Sequence, residues 1–358
     1  MQNLRHFFVI ITVLVSSIAN AQFNITGKII DAGSKEPLSG ASVYCQNTTV
    51  GTVTNKDGQF SLSLKPGGYE LIISFTGYQT KQLRISQSDN VLPDVELSKE
   101  DKSLGEVIVK TSNEVKDGWE KYGNFFLDHF IGTTPNAAKT TLTNPEVLHF
   151  YLLKKSNKLR VLATDLLQIE NRALGYSLKY QLDSFIYNYN NDINSYRGFC
   201  LYAEMDAGSD SLKLAWERNR KSAYAGSKLE FMRSYYDSSV VENGYTIDML
   251  DENSDKNFTR VKDLYDTTYY GALDSTMQVE IWYPRKLSIT YTKKKPETEY
   301  LKQFKLPKNV AVQISYIDIK DAIAILENGY YYDQKDWINQ GYWSWKNLAD
   351  QLPYDYNP

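Results

Sequence analysis

Few side chains in this sequence are suited to catalysis. Three histidines occur in 358 residues, and only His129 and His149 lie beyond the first 21. A Ser–His or Cys–His nucleophile would have to use one of them, and neither stands beside an evident nucleophile. Ser227 follows Gly226 but lacks the second glycine of a Gly-x-Ser-x-Gly elbow, and no phosphate loop occurs. With two cysteines, Cys45 and Cys200, and two histidines at no ligand spacing, no zinc pattern can be assembled. No catalytic residue, metal or cofactor is therefore assigned. Carboxylates are numerous, and a glycosidase needs only two at a set separation. An exported hydrolase acting on glycans through such a pair remains the alternative to a binding protein.

Three other groupings could bind rather than react. Asp251-Glu252-Asn253-Ser254-Asp255-Lys256-Asn257 alternates oxygen ligands like the start of a calcium loop. It has Lys256 where the turn wants glycine and Lys262 where a bidentate glutamate belongs, so a solvated acidic loop is expected. Residues 209–236 read as helical, with Leu212, Trp216, Leu229 and Met232 at packing positions. Arg218, Arg220, Lys221, Lys228 and Arg233 fall on the polar face, which is expected to be solvated. Near the C-terminus Tyr330-Tyr331-Tyr332, Trp337, Tyr342-Trp343 and Trp345 crowd together. Rings with polar tips can stack on sugars or anchor a protein partner, and equally pack a final helix and tail. Trp337, Tyr342, Trp343 and Trp345 are the candidate binding aromatics.

These residues need elements to hold them. Apolar residues make up 42% of the chain, charged residues 23%, and the formal net charge is -3. Cores can form, while a nucleic-acid partner drawn by overall charge is not expected. The 28 tyrosines favour a β-rich fold, because a ring with a polar tip suits half-buried sheet positions. Arg5 and His6, the apolar run Phe7–Val15 and Ala19-Asn20-Ala21 read as an export signal over residues 1–21. No later stretch reaches 18 apolar residues, so no membrane-spanning segment is expected in the mature chain. The two cysteines are expected as buried free thiols.

Residues 22–98 read as seven short strands separated by turn chemistry. Phe23–Ile30 alternates with period two. Asn55-Lys56-Asp57-Gly58, between Thr52–Thr54 and Gln59–Leu62, predicts a hairpin turn, since Asn and Asp bond nearby amides and Gly accepts positive φ. Gly67-Gly68 leads into Tyr69–Phe75, Gly77-Tyr78 into a strand reaching Ile85, and Leu92–Leu97 closes the set. Pro37–Val43 with Gly40, Gly51–Phe60 with Asn55, Asp57 and Gly58, Gly68-Tyr69, and Phe75–Tyr78 with Gly77 together resemble the carboxypeptidase-regulatory-like domain over residues 24–97. That resemblance implies a prealbumin-like seven-stranded β-sandwich without catalysis of its own. It also implies kinship with the N-terminal extensions of TonB-dependent outer-membrane transporters, and so a Gram-negative envelope setting. Ser103–Val109 resembles the segment joining such an extension to its plug, but the roughly 250 residues that follow are too few for a transporter barrel.

Residues 99–113 are expected to link the sandwich to a second domain, 114–358. There Val115, Trp119, Tyr122, Phe126 and Phe130 recur at helical spacing, with His129 beside the apolar face as a packing residue. Asn144-Pro145 marks a turn. Strands are expected at 147–153, 159–163, 166–170, 174–189, 277–283, 287–291, 310–317 and 322–326. The alternation Tyr176, Leu178, Tyr180, Leu182 then Phe185, Tyr187, Tyr189 changes phase near Ser184 and predicts a β-bulge. The fold expected is mainly β: the sandwich, then an α+β domain with an antiparallel sheet. The function expected is an exported envelope binding or assembly protein, periplasmic or outer-membrane associated, whose partner is an envelope protein or a glycan.

Overall fold

A computed structural model describes residues 22–86, 89–100, 113–251, 254–273, 277–332 and 334–358. The export signal and Ser103–Val109 lie outside the described residues. The N-terminal segment forms seven strands: β1 Phe23–Asp31, β2 Ser42–Cys45, β3 Gly51–Val53, β4 Gln59–Leu64, β5 Gly68–Ser74, β6 Lys81–Ser86 and β7 Val95–Leu97. They make two sheets, ordered β4-β1-β7 and β3-β2-β5-β6. In β4 exposed and buried residues alternate strictly, and Phe60, Leu62 and Leu64 join Ile25, Ile29, Val43 and Leu71 in the core between the sheets.

The predicted turn at Asn55–Gly58 forms, but not as a hairpin. The Asn55 Oδ1 accepts from the amides of Asp57 and Gln59 at 3.0 and 2.9 Å, and Gly58 takes φ +73°. A Cβ at Gly58 would stand 2.5 Å from the Ile29 carbonyl oxygen, so only glycine fits. The flanking strands then part: β3 pairs with β2 in one sheet and β4 with β1 in the other. Sandwich formation overrides local pairing, because each strand's apolar face must reach the shared core.

A second body of sheet follows. Helix α1, Gly118–Phe130, precedes β8 Thr140–Leu142, β9 Leu148–Leu153, β10 Lys158–Ala163, β11 Leu167–Asn171, β12 Tyr176–Asn188 and β13 Ile193–Glu204. All six strands are antiparallel, in the order β8-β11-β12-β10-β9 with β13 along β12. The register shifts between Leu182 and Ser184, where the phase change places a bulge. Phe126 and Phe130 of α1 are fully buried against Phe150, Phe185 and Tyr180. The helical stretch after β13 is two helices, α2 Asp210–Tyr224 and α3 Lys228–Tyr236, not one. Gly226 at φ +82° breaks it, and the Ser209 and Ser227 hydroxyls cap the two starts by accepting from Leu212 and Glu230.

The rest adds β14 Tyr245–Asp251, β15 Ser254–Arg260, β16 Tyr270–Leu273, β17 Gln278–Ile281, β18 Leu287–Tyr291, α4 Thr298–Gln303, β19 Gln313–Ile319, β20 Ile323–Leu326, β21 Trp337–Gly341 and the short α5 Tyr342–Trp345. The sheets run β15-β14-β18-β19-β21 and β16-β17-β20, and α3 with α5 helps close their core. Where an acidic loop was expected at 251–257, β14 runs to Asp251 and β15 begins at Ser254, so most of that segment is strand. Among the described residues no helix is long and apolar enough to cross a membrane. Cys45 and Cys200 are both buried free thiols, whose deprotonation burial opposes.

The sandwich is docked on the remainder. Tyr44 and Ile72, from the outer face of β2 and β5, pack with Phe199 and Leu201 of β13. Backbone bonds flank this contact, from the Asn47 amide to the Cys200 carbonyl (2.7 Å) and from the Tyr202 amide to the Thr48 carbonyl (2.9 Å). Further along, the Asn328 Nδ2 donates to the Gly68 carbonyl at 2.9 Å. A Cβ on Gly68 would come within 2.4 Å of Leu326, so glycine permits this approach.

Candidate ligand-binding cavity

Docking encloses a cavity of about 1010 Å³ where the sandwich, the six-stranded sheet and the C-terminal layer meet. From the sandwich come Gln46, Asn47, Glu70, Gln82 and Arg84. From β12 and β13 come Tyr180, Asp183, Ser195, Tyr196, Arg197 and Phe199. From α2, α3 and the C-terminal layer come Ser222, Ser227, Lys228, Tyr330, Tyr331 and Gln334. The volume is that of a small-molecule or oligomer site rather than a seat for a folded protein.

Its polar groups are mostly neutral amides and hydroxyls. Gln46 donates through Nε2 to the Gly198 carbonyl at 3.3 Å, while its Oε1 is buried and without a hydrogen-bond partner. A buried carbonyl oxygen left unpaired is costly, which marks this wall as open to a donor. Five basic residues face the cavity against three acidic ones. Arg197 pairs with Asp183 at 3.4 Å, and burial raises the Asp183 carboxyl while Arg197 lowers it. Lys346 meets Asp350 at 3.2 Å and Glu297 at 2.9 Å, and Lys294 lies 3.8 Å from Glu297. Burial alone would lower the Lys346 ammonium; Asp350 and Glu297 together outweigh it and push it up. Asp350 also accepts from Thr134 Oγ1 (2.6 Å) and Asn136 Nδ2 (2.8 Å), so it ties the C-terminal layer to the loop after α1.

Lys228, on the first turn of α3, is different. Its Nζ donates to the Tyr331 hydroxyl at 2.8 Å and lies 5.0 Å from that ring's centroid. Burial lowers its ammonium below the usual range. Spacing had put Lys228 on a solvated helix face; the approach of Tyr331 and the C-terminal layer encloses it instead. Arg220 of the same face is also drawn in, donating to the Leu174 carbonyl (2.7 Å) and lying over the Tyr176 ring. Arg218 and Lys221 stay exposed, as does Leu212, which had been expected to pack, while Trp216, Leu229 and Met232 are buried as expected.

The four candidate aromatics are nearly buried. Trp337, Tyr342, Trp343 and Trp345 keep 6, 3, 6 and 4% of their surface. The first three line the cavity, and Trp337 and Trp343 lie face to face at 6.4 Å. The Trp343 Nε1 donates to the Gly226 carbonyl (2.8 Å) and the Tyr342 hydroxyl accepts from Gln313 (3.2 Å). Trp345 points elsewhere, donating to Thr133 and Gln303. They build a wall, not an open platform.

Neither histidine reaches the cavity. The His129 ring bonds the Phe125 carbonyl (2.8 Å) and packs on Phe125 and Tyr187, as a packing residue should, and His149 pairs with Glu114 at 2.8 Å. Among the described residues no cluster of three His, Cys, Asp or Glu could hold a metal. Burial raises the carboxyls of Asp237 and Glu327 above the usual range, with the Asp237 charge adding to the rise at Glu327, but neither lines this cavity. The motif residues of the sandwich serve the fold. The Tyr78 hydroxyl donates to Asp31 at 2.6 Å, the Tyr69 hydroxyl to the Lys65 carbonyl at 3.0 Å, and Gly40 and Gly77 take positive φ. Asp57 contributes its amide to the Asn55 turn. Sequence reasoning had not singled out Gln46, Arg84 or Arg197, because nothing in their local pattern shows that three separated segments converge.

The family model and the curated relatives match the sandwich segment. Residues 25–109 match the CarboxypepD_reg-like domain family, so the N-terminal segment is a domain of that kind, as its motifs had implied. The chain is 37% identical over 95 residues to the TonB-dependent receptor SusC of Bacteroides thetaiotaomicron, which is 26% of this chain and 9% of that protein. It is 39% identical over 97 residues to the TonB-dependent receptor P39 of Formosa agariphila, 27% of this chain and 9% of that protein. The chain thus spans under a tenth of the length of the curated relatives it matches. Among solved structures, a group B streptococcus pilus 2b backbone protein matches over 23% of this chain and 43% of its own, at 23% identity and a TM-score of 0.19.

Proposed function

We propose that this is an exported cell-envelope binding protein that holds a glycan in the junction cavity. The carboxypeptidase-regulatory-like domain, residues 22–98, acts as one wall of that site, and the region from 114 onward supplies the others. The observation that carries this reading is the chemistry of the lining. Side-chain amides from Gln46, Asn47, Gln82 and Gln334 and hydroxyls from Ser195 and Ser227 stand among tyrosine and tryptophan rings. Amides and hydroxyls both donate and accept, as sugar hydroxyls do. The matched segment of two TonB-dependent receptors supports a Gram-negative envelope setting linked to outer-membrane uptake.

Isothermal titration of the purified protein with neutral and acidic oligosaccharides of two to five units tests this. Saturable binding that is lost when Gln46→Leu and Tyr196→Ala are combined supports the reading. Absence of binding across the panel refutes it and leaves an assembly role, to be examined by cross-linking in the native envelope.

A further inference from the structure

We infer that Lys228 anchors a carboxylate of the ligand, so that the glycan held in the cavity is one bearing uronic acid. This rests on the glycan-binding reading above and narrows it. The first ground is the pairing of the lining charges. Arg197 has Asp183, Lys346 has Asp350 and Glu297, Lys294 has Glu297, and Arg84 lies over the Tyr332 ring. Lys228 forms no ion pair among the described residues; its one hydrogen bond goes to the neutral Tyr331 hydroxyl. An ammonium has three donors, so two remain for a ligand.

The second ground is place. Lys228 lines the cavity beside Ser227 and Leu229, opposite Tyr331 and Tyr354. A cation set among rings without a counter-ion is costly to maintain, and an incoming carboxylate removes that cost while gaining a charge-assisted hydrogen bond. The third ground is the field. The chain as a whole carries -3, yet the lining has five basic residues against three acidic ones, with Glu297 behind two of the lysines, and so keeps a small basic excess. A basic cleft in an acidic protein concentrates anions in the cleft and not over the surface. One unpaired ammonium matches one carboxylate.

The test uses the full mature chain and matched probes: oligouronates from pectin and alginate, and the same oligomers with their carboxyls reduced to alcohols. Wild type is expected to bind an oligouronate at least tenfold more tightly than its reduced counterpart. Lys228→Met should abolish that preference, so that it binds the acid and the reduced oligomer alike. If Lys228→Met does not fold, Lys228→Arg should keep the preference and Lys228→Gln lose it. Equal binding of acid and reduced forms, or an unchanged preference in Lys228→Met, overturns the carboxylate anchor and leaves glycan binding standing. Binding of neither form of any oligomer overturns both.

Discussion

Removing the Phe199 side chain tests whether the sandwich is a wall of the site or a tethered spacer. Phe199 keeps 6% of its surface and packs on Tyr44, at 6%, and Ile72, at 0%, across the junction. Truncating a buried phenylalanine to alanine costs about 3–5 kcal/mol, from lost transfer free energy plus the cavity left behind. With a urea slope near 3 kcal/mol/M, the upper end of the usual range, Phe199→Ala should lower the midpoint by about 1–1.7 M. Were the sandwich free in solution, Phe199 would be a surface residue of β13 and its loss would change stability by no more than about 0.5 kcal/mol. Chemical denaturation followed by tryptophan fluorescence reads the difference, because all six tryptophans lie at or beyond Trp119 and report on the body to which the sandwich docks. A double-mutant cycle with Ile72→Ala isolates the contact, and a coupling of at least about 0.5 kcal/mol is expected for residues that touch. A midpoint shift below about 0.2 M, or additive single effects, would refute the docked arrangement and with it the cavity.

Two further outcomes follow from particular contacts. Asp350→Asn places an amide against Thr134, Asn136 and Lys346, all of which donate to the carboxylate; breaking a buried pair of this kind costs about 3–5 kcal/mol, so calorimetry should show the melting temperature falling by about 6 °C or more. Asp31 is held down to about 2 from its ordinary 3.8, chiefly by the Tyr78 hydroxyl and then by the Ser34 amide. Because the folded value lies below the unfolded one, its contribution is complete above about pH 4 and is lost as pH falls toward 2. Asp31→Asn should remove that part of the acid dependence of melting between pH 5 and 2, and an unchanged profile would contradict it.

Much of the fold could be read locally. Alternation such as Phe60, Leu62, Leu64 states which side of a strand faces the core, and the phase change at Ser184 states where a strand must bulge. Asn55 specifies its turn through hydrogen bonds to nearby amides and Gly58 through its positive φ, both local to the turn. What followed the turn could not be read, since which sheet β3 and β4 join depends on pairing with β2 and β1. Strands β8, β13, β14, β15, β16 and β21 also escaped. In β13 the outward residues Phe199 and Leu201 are apolar because they meet the sandwich, so period-two alternation is blurred.

The sequence by itself determined the seven-strand sandwich, its family motifs, the β-rich character of the rest and the scarcity of catalytic side chains, because each is set by residue type and short-range spacing. Only the tertiary structure decided where a ligand could sit. Gln46, Arg197 and Lys228 lie far apart in the chain and come to line one cavity where the sandwich docks through Tyr44 and Ile72 on Phe199. The approach of Tyr331 and the C-terminal layer turned Lys228 from one more cation on a helix face into an enclosed charge with no counter-ion among the described residues, because burial and pairing are properties of what surrounds a side chain and not of its place in the sequence.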